Sequence, residues 1–158
     1  MAPTEHVQWR GGMLRGQVHD ENAWALAGYG LAGHAGLFGT AAGVARLGCA
    51  VIESIADKPA GIPAFAARFC TSVRRGGTLR AGFDGKSMVN SSAGTLLGPH
   101  SFGHLGFTGT SLWCDPARSL VIALLTNRVC PSRTNTRLVA ARGLLHDCLV
   151  RAADTVTR

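Results

Sequence analysis

The chain has 158 residues, of which 46% are hydrophobic and 16% charged. That length supports one domain with a real core, and that composition excludes an intrinsically disordered chain. The formal charge of +7 comes mostly from arginines scattered along the sequence; phosphate tracking needs clustered cations, so no nucleic-acid partner is expected. No apolar run reaches the roughly 18 residues of a membrane span. The opening MAPTEHVQWRGG has no apolar segment behind a basic one, so it does not read as a secretion signal. Cys49, Cys70, Cys114, Cys130 and Cys148 are odd in number and widely spaced, which is neither a zinc pattern nor a disulfide framework. They read as small hydrophobes in a reducing compartment.

In chain order, Met1 to Thr40 holds many glycines and no sustained period, and reads as loop. A helix follows, capped by Thr40, with Val44, Leu47, Val51, Ile52 and Ile55 on one face. Lys58-Pro59 ends it. A second helix starts at Pro63, with Phe65, Phe69 and Val73 one turn apart. Arg74 to Gly77 is a turn, Thr78 to Phe83 a strand, and a Gly/Ser/Asn loop runs to about Pro99. The segment FGHLGFTGTSLWC, Phe102 to Cys114, reads as a strand. It breaks at Asp115-Pro116-Ala117-Arg118 and resumes as SLVIALLTN, a hairpin signal. That second run is apolar on both faces, so its strand should be central and covered. Thr134 or Asn135 caps a last helix whose inner stripe is Leu138, Leu145, Cys148, Leu149 and Ala152. No linker divides the chain, so residues 1–158 form one unit, loop-rich and helical to 75 and sheet plus C-terminal helix from 76.

Phe102 to Trp113 carries more glycine than an ordinary strand should. A glycine-rich edge lets another backbone approach closely, and its free N–H groups can serve as donors. The plainer explanation is a bulged strand or a tight hairpin. The surrounding motifs bear on this choice. Gly103-His104-Leu105-Gly106-Phe107-Thr108-Gly109-Thr110-Ser111 resembles the H-T-G variant of the K-T-G triad in class C β-lactamase-like serine hydrolases. SLWCDPARSLVIALLTNRVCPSRTN resembles the hairpin that follows it in that family. APTE near the start, VHDENA at Val18 to Ala23, AGHAGLFGTA before the first helix, SSAG at Ser91 to Gly94 and LLHD at Leu144 to Asp147 stand in the family's order. The resemblance covers Ala2 to about Ala152. It implies an α/β (α+β type) fold: the C-terminal part of the β-lactamase/transpeptidase-like fold, an antiparallel sheet flanked by helices.

The family attacks with the serine of S-x-x-K, whose lysine helps remove the hydroxyl proton, and completes the relay with Tyr-x-Asn. No serine here precedes a lysine by three, and Tyr29 is followed by Gly30-Leu31. In full-length relatives both motifs lie N-terminal to the region seen here. The resemblance therefore implies the C-terminal portion of an acyl-enzyme hydrolase of ester, amide or β-lactam-type substrates, inactive alone. It implies a small-molecule or peptide-like substrate, no cofactor, and either a missing N-terminal half or self-association through an exposed apolar sheet face. The other reading is a non-catalytic ligand- or partner-binding module of the same fold.

By resemblance, the Phe107 N–H is one oxyanion donor and His104 takes the place of the triad lysine. Imidazole is mostly neutral near pH 7, which favours ester or peptide-like substrates. Leu105, Gly106 and Thr108 would line the substrate; Leu105 stands where threonine is usual, at slight cost if it points to the core. His19 and Asn22 either brace the cleft, or Asp20 and Asn22 simply hold a turn. A zinc site from His19, His34 and His104 has no ligand spacing to support it. His34 reads as packing under the site or bonding a carbonyl. His6, His100 and His146 carry no constellation, Ser91 to Gly94 is a turn, and Trp9, Trp24 and Trp113 anchor packing.

Overall fold

A computed structural model describes residues 1–27 and 32–156. Strands β1 (Pro3–Val7) and β2 (Gly12–Arg15) form an antiparallel hairpin, and α1 (Glu21–Ala27) follows. Helices α2 (Ala41–Ile55) and α3 (Ala64–Thr71) come next. The main sheet is antiparallel, in the order β3 (Asp84–Gly85), β4 (Phe102–Leu105), β5 (Ser111–Asp115), β6 (Leu120–Leu124), and α4 (Arg137–Val156) closes the chain.

Strand β5 is the axis of the core, with all five residues buried. Its side chains alternate between two faces. Leu112 and Cys114, with Phe102 of β4, pack against Val51 of α2 and Ala67 of α3. Trp113, with Ile122 of β6, packs the other way against Ala93, Leu97 and Val150 of α4. Burial pushes the Cys114 thiol up to about 12, so it behaves as an inert small hydrophobe. Thr40 caps α2 as its sequence predicts, its side chain accepting from the Gly43 amide. Gly48 brings α2 close to the sheet: a Cβ there would stand 2.7 Å from Val121 and 3.0 Å from the Cys114 sulfur.

The structure corrects six sequence expectations here. The first third is not all loop: Gly11, with a left-handed φ of 86°, turns β1 into β2, and Asp20 starts α1. Thr78 to Phe83 is not a strand but a bend with isolated bridges from Val73 to Arg80 and from Leu79 to Asp84. Phe102 to Cys114 is not one strand but two, folded back on themselves at Gly106–Thr110. Strand β6 is the edge of the sheet, and β5 is the central strand. On α4 the buried positions are Arg142, His146, Asp147 and Val150, while Leu145, Cys148, Leu149 and Ala152 face outward. Both faces of the main sheet are covered, so the exposed apolar groups lie on helices instead, notably Phe65 and Phe69 of α3 and Leu144, Leu145 and Leu149 of α4.

Buried polar groups hold the loops to this frame. The Asp147 carboxylate accepts from the amides of Thr95 and Leu96 at 2.7 and 2.9 Å and from the Thr95 hydroxyl at 2.8 Å. Burial works against its charge, but these bonds outweigh it and hold its pKa below the usual carboxylate value. Asp115 accepts from the Gly98 amide at 2.7 Å. His146, expected to stand alone, is fully buried between the Ser111 hydroxyl at 2.8 Å and the Ser92 carbonyl at 2.6 Å. A carbonyl only accepts, so Nδ1 carries the proton. The neutral ring's Nε2 then accepts from Ser111. Ser91 to Gly94 forms the turn read from sequence, with Gly94 N–H bonded to the Ser91 carbonyl at 3.0 Å. Trp113 is core, whereas Trp9 and Trp24 are exposed, edge to face at 5.3 Å, with Arg10 over both rings.

Candidate active-site edge

The glycines of Phe102–Trp113 do several different jobs. Gly103 is not open to a ligand: a Cβ there would lie 2.7 Å from the Trp113 ring and would collide with the Leu112 carbonyl. Gly106 and Gly109 make the turn. The Gly106 amide bonds the Thr110 carbonyl at 2.8 Å, and the Gly109 amide bonds the Gly106 carbonyl at 3.0 Å. Gly109 has a left-handed φ of 98° and no room for a side chain beside Thr126 and Leu138. The 126–128 segment pins this turn, through the Arg128 amide to the Thr108 carbonyl at 2.9 Å and the Thr126 hydroxyl to the Gly109 carbonyl at 2.8 Å.

Alternation along the antiparallel ladder fixes which backbone groups are free. The Lys86 amide bonds the Ser101 carbonyl at 3.0 Å, so the odd-numbered residues of β4 point away from β5. Strand β3 reaches only to Gly103. The outward backbone groups of Leu105 therefore have no strand beside them among the described residues, and the Phe107 amide takes no part in the turn's hydrogen bonds. His104 is exposed at this edge, while the Leu105 side chain packs into the core beside Trp113. The leucine thus occupies a structural position, and the hydroxyl of the usual threonine would have faced inward.

The Phe107 ring, 56% exposed as a residue, stands at the centre of a charged group. The Arg128 guanidinium lies over it at 4.6 Å and Arg133 at 5.9 Å, and the buried His19 ring is 6.1 Å away. Arg133 clamps the buried Glu5 carboxylate with two bonds of 2.7 and 2.8 Å and reaches Glu21 at 2.8 Å. Its hydrogen bond holds Glu5 below the usual carboxylate value, and the two carboxylates raise the Arg133 pKa in turn. This clamp ties β1 and α1 to the loop beside the turn. Sequence reasoning missed it, although all three residues lie in the motifs APTE, VHDENA and CPSRTN. Arg128 bonds the carbonyls of Arg133 and Asn135 at 3.0 and 2.8 Å and pairs with no carboxylate among the described residues.

The structure thus brings together His104, Leu105, Gly106, Phe107, Thr108 and His19. It does not gather Asn22, which is exposed on the first turn of α1 and is not hydrogen-bonded to the turn. Asp20 holds that turn instead, accepting from the Ala23 amide at 2.7 Å. His34 neither packs beneath the site nor bonds a carbonyl; it is exposed and bonds the Asp20 carboxylate at 3.0 Å. The Tyr29 position lies outside the described residues. Among the described residues no three His, Cys, Asp or Glu side chains converge as metal ligands, and no helix is long and apolar enough to cross a membrane.

The family model for beta-lactamase matches residues 2–145. The chain belongs to the beta-lactamase family. Its α+β arrangement of helices around an antiparallel sheet is consistent with the C-terminal part of that fold. It is 34% identical over 119 residues to a protein of Escherichia coli K12 provisionally named D-alanyl-D-alanine carboxypeptidase. A protein of Salmonella agona with the same provisional name is 34% identical over 125 residues. Each alignment covers 73% of this chain but only 27% of the relative, so the chain spans about a quarter of the length of the curated relatives it matches. No solved structure matches the chain.

Proposed function

We propose that this chain forms one wall of the acylation pocket of a serine hydrolase that cleaves an ester, amide or β-lactam-type bond through an acyl-enzyme. The carrying observation is the open edge at Leu105–Phe107, where outward backbone groups stand beside the exposed His104. A peptide-like substrate extended along that edge would pair with the Leu105 backbone. The Phe107 amide would point at the oxyanion, a donor worth about 3 kcal/mol in the transition state. His104 would steady the carbonyl side of the substrate or assist proton transfer, and Gly106 and Thr108 would shape the turn beneath it. His19 supports the Phe107 ring from behind. The provisional names of the relatives make a peptide ending in D-alanine the first substrate to try.

The chain alone performs no turnover on this reading, because no serine stands three residues before either lysine, Lys58 or Lys86. The same absence favours the second reading, a non-catalytic module whose edge binds a ligand or partner. A fluorophosphonate that labels activated serines tests both. The purified chain should remain unlabelled, and covalent labelling of any serine in it would overturn the proposal. Supplied with the rest of such a fold, the hydrolase reading requires labelling in the companion segment that weakens at least about tenfold in His104→Ala, an ordinary loss for a proton-transfer group. Binding without labelling would leave the module reading.

A further inference from the structure

The cations are scattered along the whole chain, but the acids are not. Between Asp57 and Asp84 stand Lys58, Arg68, Arg74, Arg75 and Arg80, and no acidic residue. Helix α3 lies in this stretch. It buries Ala67 in the core cluster of Val51 and Phe102. Residues one turn apart share a helix face, so Phe65 and Phe69 point the same way. They point out of the protein, 77% and 66% exposed. Neither ring serves the core that α3 helps to build.

The ridge continues past the helix. The Ser72 amide bonds the Phe69 carbonyl at 3.1 Å, and the chain then enters a tight loop. Val73 bridges to Arg80, and the Arg74 amide bonds the Leu79 carbonyl at 3.3 Å. This neck holds Val73 and Leu79, both exposed, directly after the two phenylalanines. Arg74 and Arg75 stand exposed on the same loop, and their side chains make no hydrogen bond or ion pair among the described residues. The neighbouring arginines are engaged. Arg68 is tied to the Asp57 carboxylate, and Arg80 turns inward to the carbonyls of Thr71 and His100 at 2.7 and 3.1 Å. Four apolar side chains thus adjoin two free guanidinium groups.

Exposed apolar groups beside unpaired cations fit a surface that is apolar within and anionic at its rim. We infer that this ridge docks the protein on an anionic lipid surface, with Phe65 and Phe69 entering the boundary between headgroups and acyl chains and Arg74 and Arg75 meeting the lipid phosphates. Charge complementarity favours that occupant over a second copy, whose own Arg74 and Arg75 would be brought against these. The contact is peripheral: α3 has eight residues, and no described helix is long and apolar enough to cross a membrane. Helix α3 packs on the face of the sheet opposite α4. The inference uses neither His104 nor Phe107, and so stands apart from the hydrolase reading.

The test is cosedimentation of the purified chain with vesicles of phosphatidylglycerol and phosphatidylcholine, against vesicles of phosphatidylcholine alone. Binding to the anionic vesicles should be at least about tenfold tighter and should weaken as salt rises. Arg74→Gln with Arg75→Gln should weaken anionic binding about 25-fold, at roughly fivefold per arginine, and leave neutral binding unchanged. Phe65→Ser with Phe69→Ser should weaken binding to both vesicles by more than about tenfold. Its melting should match the wild type, since both rings are exposed. Leu144→Ser with Leu149→Ser, on exposed positions of α4, should bind like the wild type. Equal binding to the two kinds of vesicle would overturn the inference, as would an equal loss in the α4 variant or a folded phenylalanine variant that binds normally. Should the phenylalanine variant not fold, the arginine variant decides alone, and unchanged affinity there sinks the inference. Self-association that the phenylalanine variant abolishes, without vesicle binding, would assign the ridge to a second copy and overturn the occupant named here.

Discussion

Replacing Arg133 with alanine should destabilise the chain strongly at neutral pH and progressively less in acid. Glu5 is only 5% exposed, and its carboxylate accepts two bonds from the Arg133 guanidinium and a third, at 3.2 Å, from the Arg133 amide. Removing one partner of a buried pair typically costs about 3–5 kcal/mol, since a charge is left without compensation. The Arg133 side chain is 42% exposed, so water screens part of the pair, and the expected loss is about 2–3 kcal/mol. In a domain of this size that is roughly a 5–10 °C fall in melting temperature. The pH dependence gives the mechanism away. Arg133's hydrogen bond lowers the folded pKa of Glu5 below its unfolded value near 4.5. The unfolded chain therefore binds more protons just below that pH, and the pair's stabilisation, full above 4.5, is lost as pH falls through the folded pKa. In Arg133→Ala the backbone amide at 133 still donates, but burial then opposes the Glu5 charge with less to offset it, so Glu5 protonates at higher pH than in the wild type and the cost of the poorly paired charge falls away in acid. The gap between wild type and variant, measured by urea unfolding from pH 7 to pH 3, should shrink steadily below about pH 5. A gap under about 0.5 kcal/mol at pH 7, the scale of a surface pair, would refute the reasoning. So would a gap of constant size across that range.

His146 should make the chain less stable in mild acid. Burial first, and Arg142 nearby, depress its pKa below the ordinary 6.5, so the unfolded state takes up a proton first and stability falls as pH drops from that value toward the folded pKa. His146→Gln should lower stability at pH 7 and flatten that slope; an unchanged slope would assign it to other groups. Gly103→Ala should cost about 3 kcal/mol, because the added methyl meets the Leu112 carbonyl and the Trp113 ring and backbone cannot yield cheaply. Chemical denaturation showing less than about 1 kcal/mol would mean the β4–β5 pairing is looser than described.

What could be read from the sequence was what short-range periodicity encodes. Val51, Ile52 and Ile55 found α2, and Asp115-Pro116 found the turn into β6. Periodicity failed where burial is polar. The α4 stripe was assigned by counting aliphatic residues, but Arg142, His146 and Asp147 are inside because each reaches across to another element or is sealed by its neighbours. No one-dimensional pattern separates such a histidine from a solvated one. The β1–β2 hairpin was hidden for a related reason. Its five- and four-residue strands turn on glycine, and the arginine that ties β1 to the rest of the fold, Arg133, lies 128 residues from Glu5. A search for acidic and arginine residues shared among the family-like motifs would have been the only sequence signal for that clamp. Among the site candidates, His104 to Thr108 are contiguous in sequence and share one strand end and turn. Asn22 shares a motif with His19 but lies on the exposed first turn of α1, because adjacent helical residues point in different directions.

The glycine-rich ribbon shows what leaves the β4 edge of the sheet open. At Gly103 glycine exists for the core, because Trp113 fills the space a side chain would need. At Gly106 and Gly109 it exists for the turn that lifts Phe107 outward. None of the three glycines is there to let a ligand approach, yet together they place the unpaired backbone at Leu105 and Phe107 just past the end of β3. Access to this edge is therefore set by where β3 stops, not by how much glycine β4 contains.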